Sequence, residues 1–315
     1  MRGRRFKWLA GVLLVFIVLA GALYIFLAWS KGERAADHPY FKRDARRPLV
    51  IAHRGGAGLW PENTLYAFRR AAVSGADVIE LDVRATADGA LVVFHDATVE
   101  RMTDGRGPIG GMSLEEVKRL DAAYRWTPDG GRTFPLRGGG VGVATLGEVF
   151  DALPSMRFVI EPKRGSPATA ADLCRVVRER GMAEKVLVAS FTQTLLDEFR
   201  RDCPGVATSA GPGEVIKFLA LSKAGLGASY SPAMQALQVP EYAGGVRVIT
   251  KDFVGAAHER NLEVHAWTIN DADAMRHLVG LGVDGIMTDY PDRLTSLLGR
   301  VVPAPDGETR KESAR

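Results

Sequence analysis

The sequence predicts an α/β fold, a single (β/α)8 barrel standing behind one N-terminal helix of membrane-spanning length. Three observations carry that expectation. Short apolar runs alternate with stretches of helical period across roughly 250 residues, the pattern of parallel strands that each hand over to a covering helix. A composition of 46% hydrophobic and 25% charged residues is that of ordinary globular material and excludes disordered, collagen-like and coiled-coil chains. Polar residues recur at the C-terminal ends of successive apolar runs, where barrels of this kind assemble their sites.

The chain of 315 residues opens with Arg2, Arg4, Arg5 and Lys7, followed by 22 uncharged residues, Trp8–Trp29. As a helix this run is about 33 Å long, the thickness of a bilayer's hydrocarbon core, and tryptophans at both ends suit the two interfaces. Residues 1–30 are read as a retained transmembrane anchor. A cleavable signal peptide is the competing reading, because Ala28, Trp29 and Ser30 put small residues at peptidase spacing. The short basic N-terminus favours an exported body, although Lys31, Arg34, Lys42, Arg43, Arg46 and Arg47 place cations after the run as well. Residues 31–47 are polar and charged, as in a linker; 48–300 hold the barrel; 301–315 offer almost nothing apolar to bury and read as a disordered tail.

Within the body, strands are expected at 49–52, 77–83, 91–94, 157–160, 186–189, 206–209, 228–230, 263–268 and 284–287. Helices are expected at 64–74, 114–120, 146–153, 168–180, 194–200, 252–259, 272–281 and 291–298. One strand candidate is surplus to a barrel of eight. The connection from Val83 to Leu91 is too short for a parallel crossover, and Asp88-Gly89 reads as a two-residue hairpin turn. With Ala87 paired to Ala90, Asp82 faces His95 and Glu80 lies on the same side, so two carboxylates and an imidazole converge. Residues 124–142, rich in Gly, Pro and Arg, read as an excursion from the catalytic rim, either a lid or substrate-contact loop or a solvated loop without a role.

The net charge of +4 resides in the first thirty residues, and the remaining chain balances 37 basic against 37 acidic residues. That balance argues against a nucleic-acid partner, which needs clustered excess Lys and Arg. Cys174 and Cys203 are too few for a disulfide framework or a zinc site, and two buried free thiols are preferred to one optional bridge.

The predicted strand ends carry His53 and Arg54, Glu80 and Asp82, His95 and Asp96, Glu161 and Lys163, then Trp267 to Asn270 and Thr288 to Asp289. Each alone has a plain structural reading, since a lone histidine is usually hydrogen-bonded scaffold and a lone carboxylate usually solvated or salt-bridged. Their recurrence on successive strands points to a site. Glu80, Asp82 and Glu161 offer only oxygen, which suits Ca2+ or Mg2+ rather than zinc, and three buried acids need a cation against their repulsion. His53 and His95 can divide proton duties near neutral pH, while Arg54 and Lys163 add fixed positive charge for a phosphate. One divalent ion, two bases and two cations in one pocket describe phosphodiester cleavage.

The same residues carry a resemblance. His53-Arg54-Gly55, Pro61-Glu62-Asn63-Thr64, Glu80-Leu81-Asp82-Val83, Asp88-Gly89, Phe94-His95-Asp96, Arg101, Thr103, Thr145-Leu146, Glu148, Glu161-Pro162-Lys163, Ser190-Phe191, Trp267-Thr268-Ile269-Asn270 and Asp284-Gly285 with Thr288-Asp289-Tyr290-Pro291 resemble, in order, the signature of glycerophosphodiester phosphodiesterases. The resemblance implies a metal-dependent TIM-barrel hydrolase that cuts a glycerophosphodiester into glycerol 3-phosphate and an alcohol. It implies His53 and His95 as the acid–base pair, Glu80, Asp82 and Glu161 around the ion, Arg54 and Lys163 on phosphate, and Trp267 bordering the pocket. It further implies attack by a substrate hydroxyl beside the phosphate, followed by opening of the cyclic product by water.

Among the remaining motif residues, Asn63 or Thr64 is expected to cap a helix, and Glu62 has an optional reach toward the site. Asn270 is expected to cap the following helix, with support of the pocket as the alternative, and Asp289 is expected as a hydrogen-bond anchor. A lysophospholipid is the alternative substrate, with Trp126, Phe134 and Leu136 of the excursion meeting its acyl chain beside the membrane. A catalytically silent, tethered binding protein is the remote alternative; the presence of both histidines and all three acids speaks against it.

Overall fold

The structure, a computed structural model, describes residues 2–41, 47–163 and 170–300. In chain order the strands are β1 (Leu49–Ala52), β2 (Val78–Ala85), β3 (Leu91–Val93), β4 (Arg157–Pro162), β5 (Val186–Val188), β6 (Ala207–Thr208), β7 (Ala236–Pro240), β8 (Tyr242–Ala243), β9 (Val246–Arg247), β10 (Glu263–Trp267) and β11 (Gly285–Thr288). The helices are α1 (Arg2–Trp29), α2 (Leu65–Val73), α3 (Leu114–Lys118), α4 (Leu146–Ala152), α5 (Ala170–Glu179), α6 (Gln193–Asp202), α7 (Pro212–Lys223), α8 (Lys251–Glu259), α9 (Ala272–Leu281) and α10 (Pro291–Leu297).

Eight strands lie in the order β6-β5-β4-β2-β1-β11-β10-β7, every neighbouring pair parallel. A parallel bridge from Ser209 to Ala236 joins the two ends, so the sheet closes into the expected barrel. Strands and helices alternate because the strands are largely apolar, although β2 carries Glu80, Asp82 and Arg84 on one face, and most covering helices present an apolar face to them, so neither is stable without the other. The full burial of β1, β2 and β11 shows the result.

Three corrections concern the barrel itself. The surplus strand is β3, an antiparallel partner of β2 outside the ring. Residues 228–230 are not a strand: Gly227–Ser229 form a 3-10 turn, and β7 supplies the missing strand at Ala236–Pro240. Helix α7 was not expected, because Val215, Ile216, Phe218, Leu219 and Leu221 surround it and no apolar face stands out, although Pro212 sits where a helix start accepts proline.

The hairpin forms, but one residue out of the expected register. Val83 pairs with Val93 and Ala85 with Leu91, so the continuation sets Asp82 against Phe94 rather than His95, and the Phe94 N–H donates to the Asp82 carbonyl at 3.0 Å. The turn has three residues instead of two. Thr86 N–H donates to the Ala90 carbonyl, the Thr86 hydroxyl donates to Asp88 and accepts from the Ala90 N–H, and Gly89 closes the turn at φ +80°.

Residues 31–47, expected as a linker, are docked on the barrel over their described part to Phe41. Tyr40 is 0% exposed and plugs the end where the strands begin, packed with Leu49, Ile51, Val78, Val159, Leu187 and Ala207. Arg157 reinforces it by donating to the Tyr40 carbonyl at 3.1 Å. The cysteines are not free thiols: Cys174 on α5 and Cys203 after α6 form a disulfide, their Cα atoms 5.5 Å apart. The pairing of α5 with α6 sets the two sulfurs side by side, which no local pattern in the sequence encodes. From Trp8 onward helix α1 is apolar on all sides, and its side chains from Trp8 to Phe26 are exposed, so it projects from the barrel. The expected tail, 301–315, lies outside the described residues, as do residues 42–46 of the expected linker.

Candidate active site

The strand ends converge as expected at the C-terminal end of the barrel. One cleft there is lined by His53, Arg54, Glu80, His95, Glu161 and Lys163 on its polar side. The chain enters the site at the turn His53–Gly55 after β1, where Arg54 adopts a left-handed conformation at φ 51° that a side chain rarely takes. That conformation aims the Arg54 N–H at Glu80 Oε2, 2.7 Å away. Gly55 allows it, since it has φ +81° and a Cβ there would lie 2.5 Å from the Phe68 ring of α2.

Glu80 and Asp82, two residues apart on β2, project on one face, and Glu161 is the register partner of Asp82 on β4. Their carboxylate oxygens lie within 4.8 Å of one another. Burial is the largest influence on Glu80 and the Asp82 charge adds to it, so its carboxyl is pushed up to about 7. Burial alone would raise Asp82 too, but the Lys163 and Arg54 charges outweigh it and hold this carboxyl below the usual range. Lys163 Nζ stands 2.8 Å from Asp82 Oδ1 and 2.9 Å from Glu161 Oε1, so its charge offsets those two acids and leaves Glu80 the least compensated. An all-oxygen donor set with one under-compensated buried acid fits a hard divalent cation.

Both histidines are oriented by a carboxylate. His53 Nδ1 donates to Asp289 Oδ1 at 2.6 Å and His95 Nδ1 to Asp96 Oδ1 at 2.6 Å, which leaves each Nε2 for a ligand. Burial lowers the His53 imidazole, yet the Glu80 charge and the Asp289 hydrogen bond outweigh it and raise its pKa above the ordinary histidine value. Asp289 is the anchor expected. Asn270 is not the helix cap but takes its alternative role beside the pocket: Asp271 caps α9, while Asn270 Nδ2 donates to Asp289 Oδ2 at 2.6 Å and Asn270 Oδ1 accepts from the Asp289 N–H.

Thr64 caps α2, which releases Asn63 for another task. At φ 57°, Asn63 donates to Asp82 Oδ2 at 2.8 Å and accepts from the Asp82 N–H at 3.2 Å, fixing that carboxylate from behind. Its place before a capping threonine masked this role in the sequence. Glu62 does reach the site region, holding Arg54 at 2.9 Å and Arg101 at 2.6 Å, and Arg101 in turn donates to Asp96. The two histidine neighbourhoods are thus joined through charged pairs.

The other side of the cleft is apolar. Phe191 stacks edge-on against Trp267 with ring centroids 5.7 Å apart, and Val215, Ile216 and Val239 extend the wall. Phe191 and Ile216 are 54% and 68% exposed. The excursion 124–142 does not line this cleft. Arg137 lies over the Tyr124 and Phe134 rings, and Asp129 gathers Thr127 and Thr133, so the loop packs largely on itself. Trp126, Phe134 and Leu136 are therefore replaced, as an apolar wall, by residues after β5 and β6 and by Val239 of β7 and Trp267 at the end of β10.

Residues 53–293 match the family model described as the glycerophosphoryl diester phosphodiesterase family. The glycerophosphodiester phosphodiesterase of Caldanaerobacter subterraneus is 35% identical over 259 residues, 80% of this chain and 98% of the relative, and that of Bacillus altitudinis is 31% identical over 258 residues, 79% and 97% of the two chains. Among solved structures, a phosphodiesterase from Oleispira antarctica in complex with the product sn-glycerol-3-phosphate is similar at 26% identity and TM-score 0.63, covering 80% of this chain and 97% of that one. Sequence, barrel and site agree: the chain belongs to the glycerophosphoryl diester phosphodiesterase family and is a glycerophosphodiester-hydrolysing TIM-barrel enzyme.

Proposed function

We propose that His53 and His95 are the proton carriers of this hydrolysis, that Glu80, Asp82 and Glu161 hold one divalent cation, and that Arg54 and Lys163 grip the phosphate. The observation that carries the reading is the pairing of each imidazole Nδ1 with its own carboxylate on the polar side of one cleft. A neutral Nε2 takes the proton of the attacking hydroxyl on the glycerol moiety, and the other ring, protonated, gives one to the leaving alcohol. The rings then exchange roles as water opens the cyclic phosphate, which restores both protonation states. Asp289 and Asp96 keep each ring in the tautomer these transfers need. A bound divalent cation supplies positive charge against the phosphoryl oxygens. Ca2+ and Mg2+ both suit the oxygen donors.

The product is glycerol 3-phosphate, as in the Oleispira antarctica complex. A second reading, cleavage of a lysophospholipid between phosphate and headgroup, is favoured by the apolar wall of Phe191, Ile216 and Trp267. Helix α1 is read as a retained anchor for domain 1–30, with the barrel 48–300 on the exported side. The Cys174–Cys203 disulfide supports that side, because such bonds persist in oxidising compartments.

Glycerophosphocholine and lysophosphatidylcholine, each assayed with excess Mg2+ or Ca2+ and again with chelator, test the reading. Turnover of the soluble diester that disappears with chelator is expected, and chelator-resistant turnover would overturn the cation. An untouched lysolipid removes the second substrate.

A further inference from the structure

Resting on the reading of α1 as a retained anchor, we propose that the barrel stands on its own membrane by the end where its strands begin. The catalytic cleft then opens away from that bilayer and draws its diester from the aqueous phase.

The attachment of the chain between helix and barrel carries this proposal. Helix α1 ends at Trp29, and by Gly32 the chain is already bonded to the body: the Gly32 N–H donates to the Ala228 carbonyl at 2.8 Å. Arg260, 8% exposed, donates through Nη1 to the carbonyls of Gly32 at 2.6 Å and Ala228 at 2.9 Å. The Ala35 N–H donates to the Arg260 carbonyl, and Asn261 Nδ2 to the carbonyl of Ala35 and to Asp37 Oδ1. Gly32 is built for the contact, since a Cβ there would lie 2.4 Å from the Tyr230 carbonyl oxygen, a clash with backbone. Tyr40 then inserts its ring into the barrel.

All these contacts are at one end. Residues 224–230 and 260–261 follow the C-termini of α7 and α8, which run opposite to the strands and so finish where the strands begin. Tyr24 of α1 adds a contact there, donating to the Ala224 carbonyl at 3.4 Å. Ser30 and Lys31 alone separate Trp29 from Gly32, a reach of about 10 Å at most. Trp29, 86% exposed, ends the apolar helix where an indole belongs at headgroup level. The eight residues of β2 span roughly 26 Å, or about 20 Å along the axis of a barrel with ordinary strand tilt. The cleft thus stands clear of the headgroups beneath it. Exposed Phe191 and Ile216 face an incoming ligand rather than their own bilayer; the rival arrangement dips that pair into the lipid.

Single-cysteine labelling of the full chain separates the two, because the native cysteines are tied in a disulfide. Thr194→Cys and Ile216→Cys report on the catalytic end, Lys223→Cys and Glu259→Cys on the opposite end. Each labelled protein is reconstituted into phosphatidylcholine–phosphatidylglycerol vesicles that carry nitroxide headgroups. Quenching several-fold stronger at 223 and 259 than at 194 and 216 is expected; equal quenching, or stronger quenching at 216, overturns the orientation. A twenty-residue Gly/Ser insert between Ser30 and Lys31, adding roughly 25 Å of slack, should abolish the difference, and its persistence overturns the tether as the cause. A chain that fails to float with vesicles and has lost its first thirty residues overturns the anchor and the orientation together, whereas a floating chain with a quenched catalytic end overturns the orientation alone.

Discussion

At the end of the barrel where the strands begin, charges are matched and apolar rings fill the bore. Arg47 meets Glu263 at 2.6 Å, and Asp77 accepts from Arg300 at 2.5 Å and from the Val50 N–H at 2.8 Å. Asp284 accepts from His258 and from the Val264 N–H at 2.8 and 2.9 Å. At the opposite end, Arg54 and Asn63 are held in left-handed conformations, and three acids, Glu80, Asp82 and Glu161, crowd together. One closed sheet carries both arrangements. The comparison teaches that crowded, uncompensated acids are confined to the rim with the cleft, whereas carboxylates at the other end each meet a cation or an N–H. Backbone strain and orphaned polar atoms do not separate the two, since Asn261 takes φ 60° and, among the described residues, the Tyr40 hydroxyl and Arg260 Nε lack partners where the strands begin.

Loss of catalysis without loss of stability would separate the ends most sharply. His53→Ala and His95→Ala should each lower kcat by about 10²- to 10⁴-fold with an unchanged melting temperature; turnover equal to the parent in both variants would remove the proposed proton carriers. The converse variant is Tyr40→Ala, which empties the plug. It should cost about 3–5 kcal/mol of stability in urea unfolding while kcat at low temperature stays near the parental value.

Asn63→Ala tests how the acid-rich end is held together. With Asp82 no longer fixed from behind, the divalent-ion concentration for half-maximal activity should rise about 10- to 100-fold, and saturating ion should restore most of the rate. The smallest effect is expected at Asp284. Burial would raise this carboxyl, but the His258 and Val264 hydrogen bonds outweigh it and its pKa is lowered in the folded state. Its stabilising contribution is therefore present above the unfolded carboxylate pKa and is lost as pH falls through the lower folded value. Asp284→Asn should cost about 1–3 kcal/mol near neutrality, and the gap to the parent should close in melting curves taken in the acid range. A constant gap would assign the cost to packing instead of charge.

Much of this molecule was legible in one dimension. Strand and helix periods marked the alternation, and α9 was placed at its observed bounds by its helical period, although Asp271 rather than the expected Asn270 caps its start and Gly282 ends it. The eight residues proposed for the site were found through their position at strand ends and their resemblance to a known signature; all but Asp82 line the cleft, and Asp82 joins Glu80 and Glu161 in the acid cluster. Local chemistry suffices for such features because it acts between residues near in sequence. The hairpin register was missed by one residue because the Thr86 side chain, bonding Asp88 and Ala90, selects the three-residue turn.

Contacts between distant segments were beyond the sequence read alone. The partner of Cys174, the docking of Gly32 against Tyr230, the bond from Asn270 to Asp289, and the replacement of the excursion by Phe191 and Ile216 as the apolar wall all depend on which helices and loops become neighbours when the ring closes. Residue type and spacing determined that this chain would build a charged barrel rim behind an apolar helix. Only closure of the sheet decided which acid faces which base, and which end of the barrel the helix adjoins, because those juxtapositions come from packing across many residues of chain.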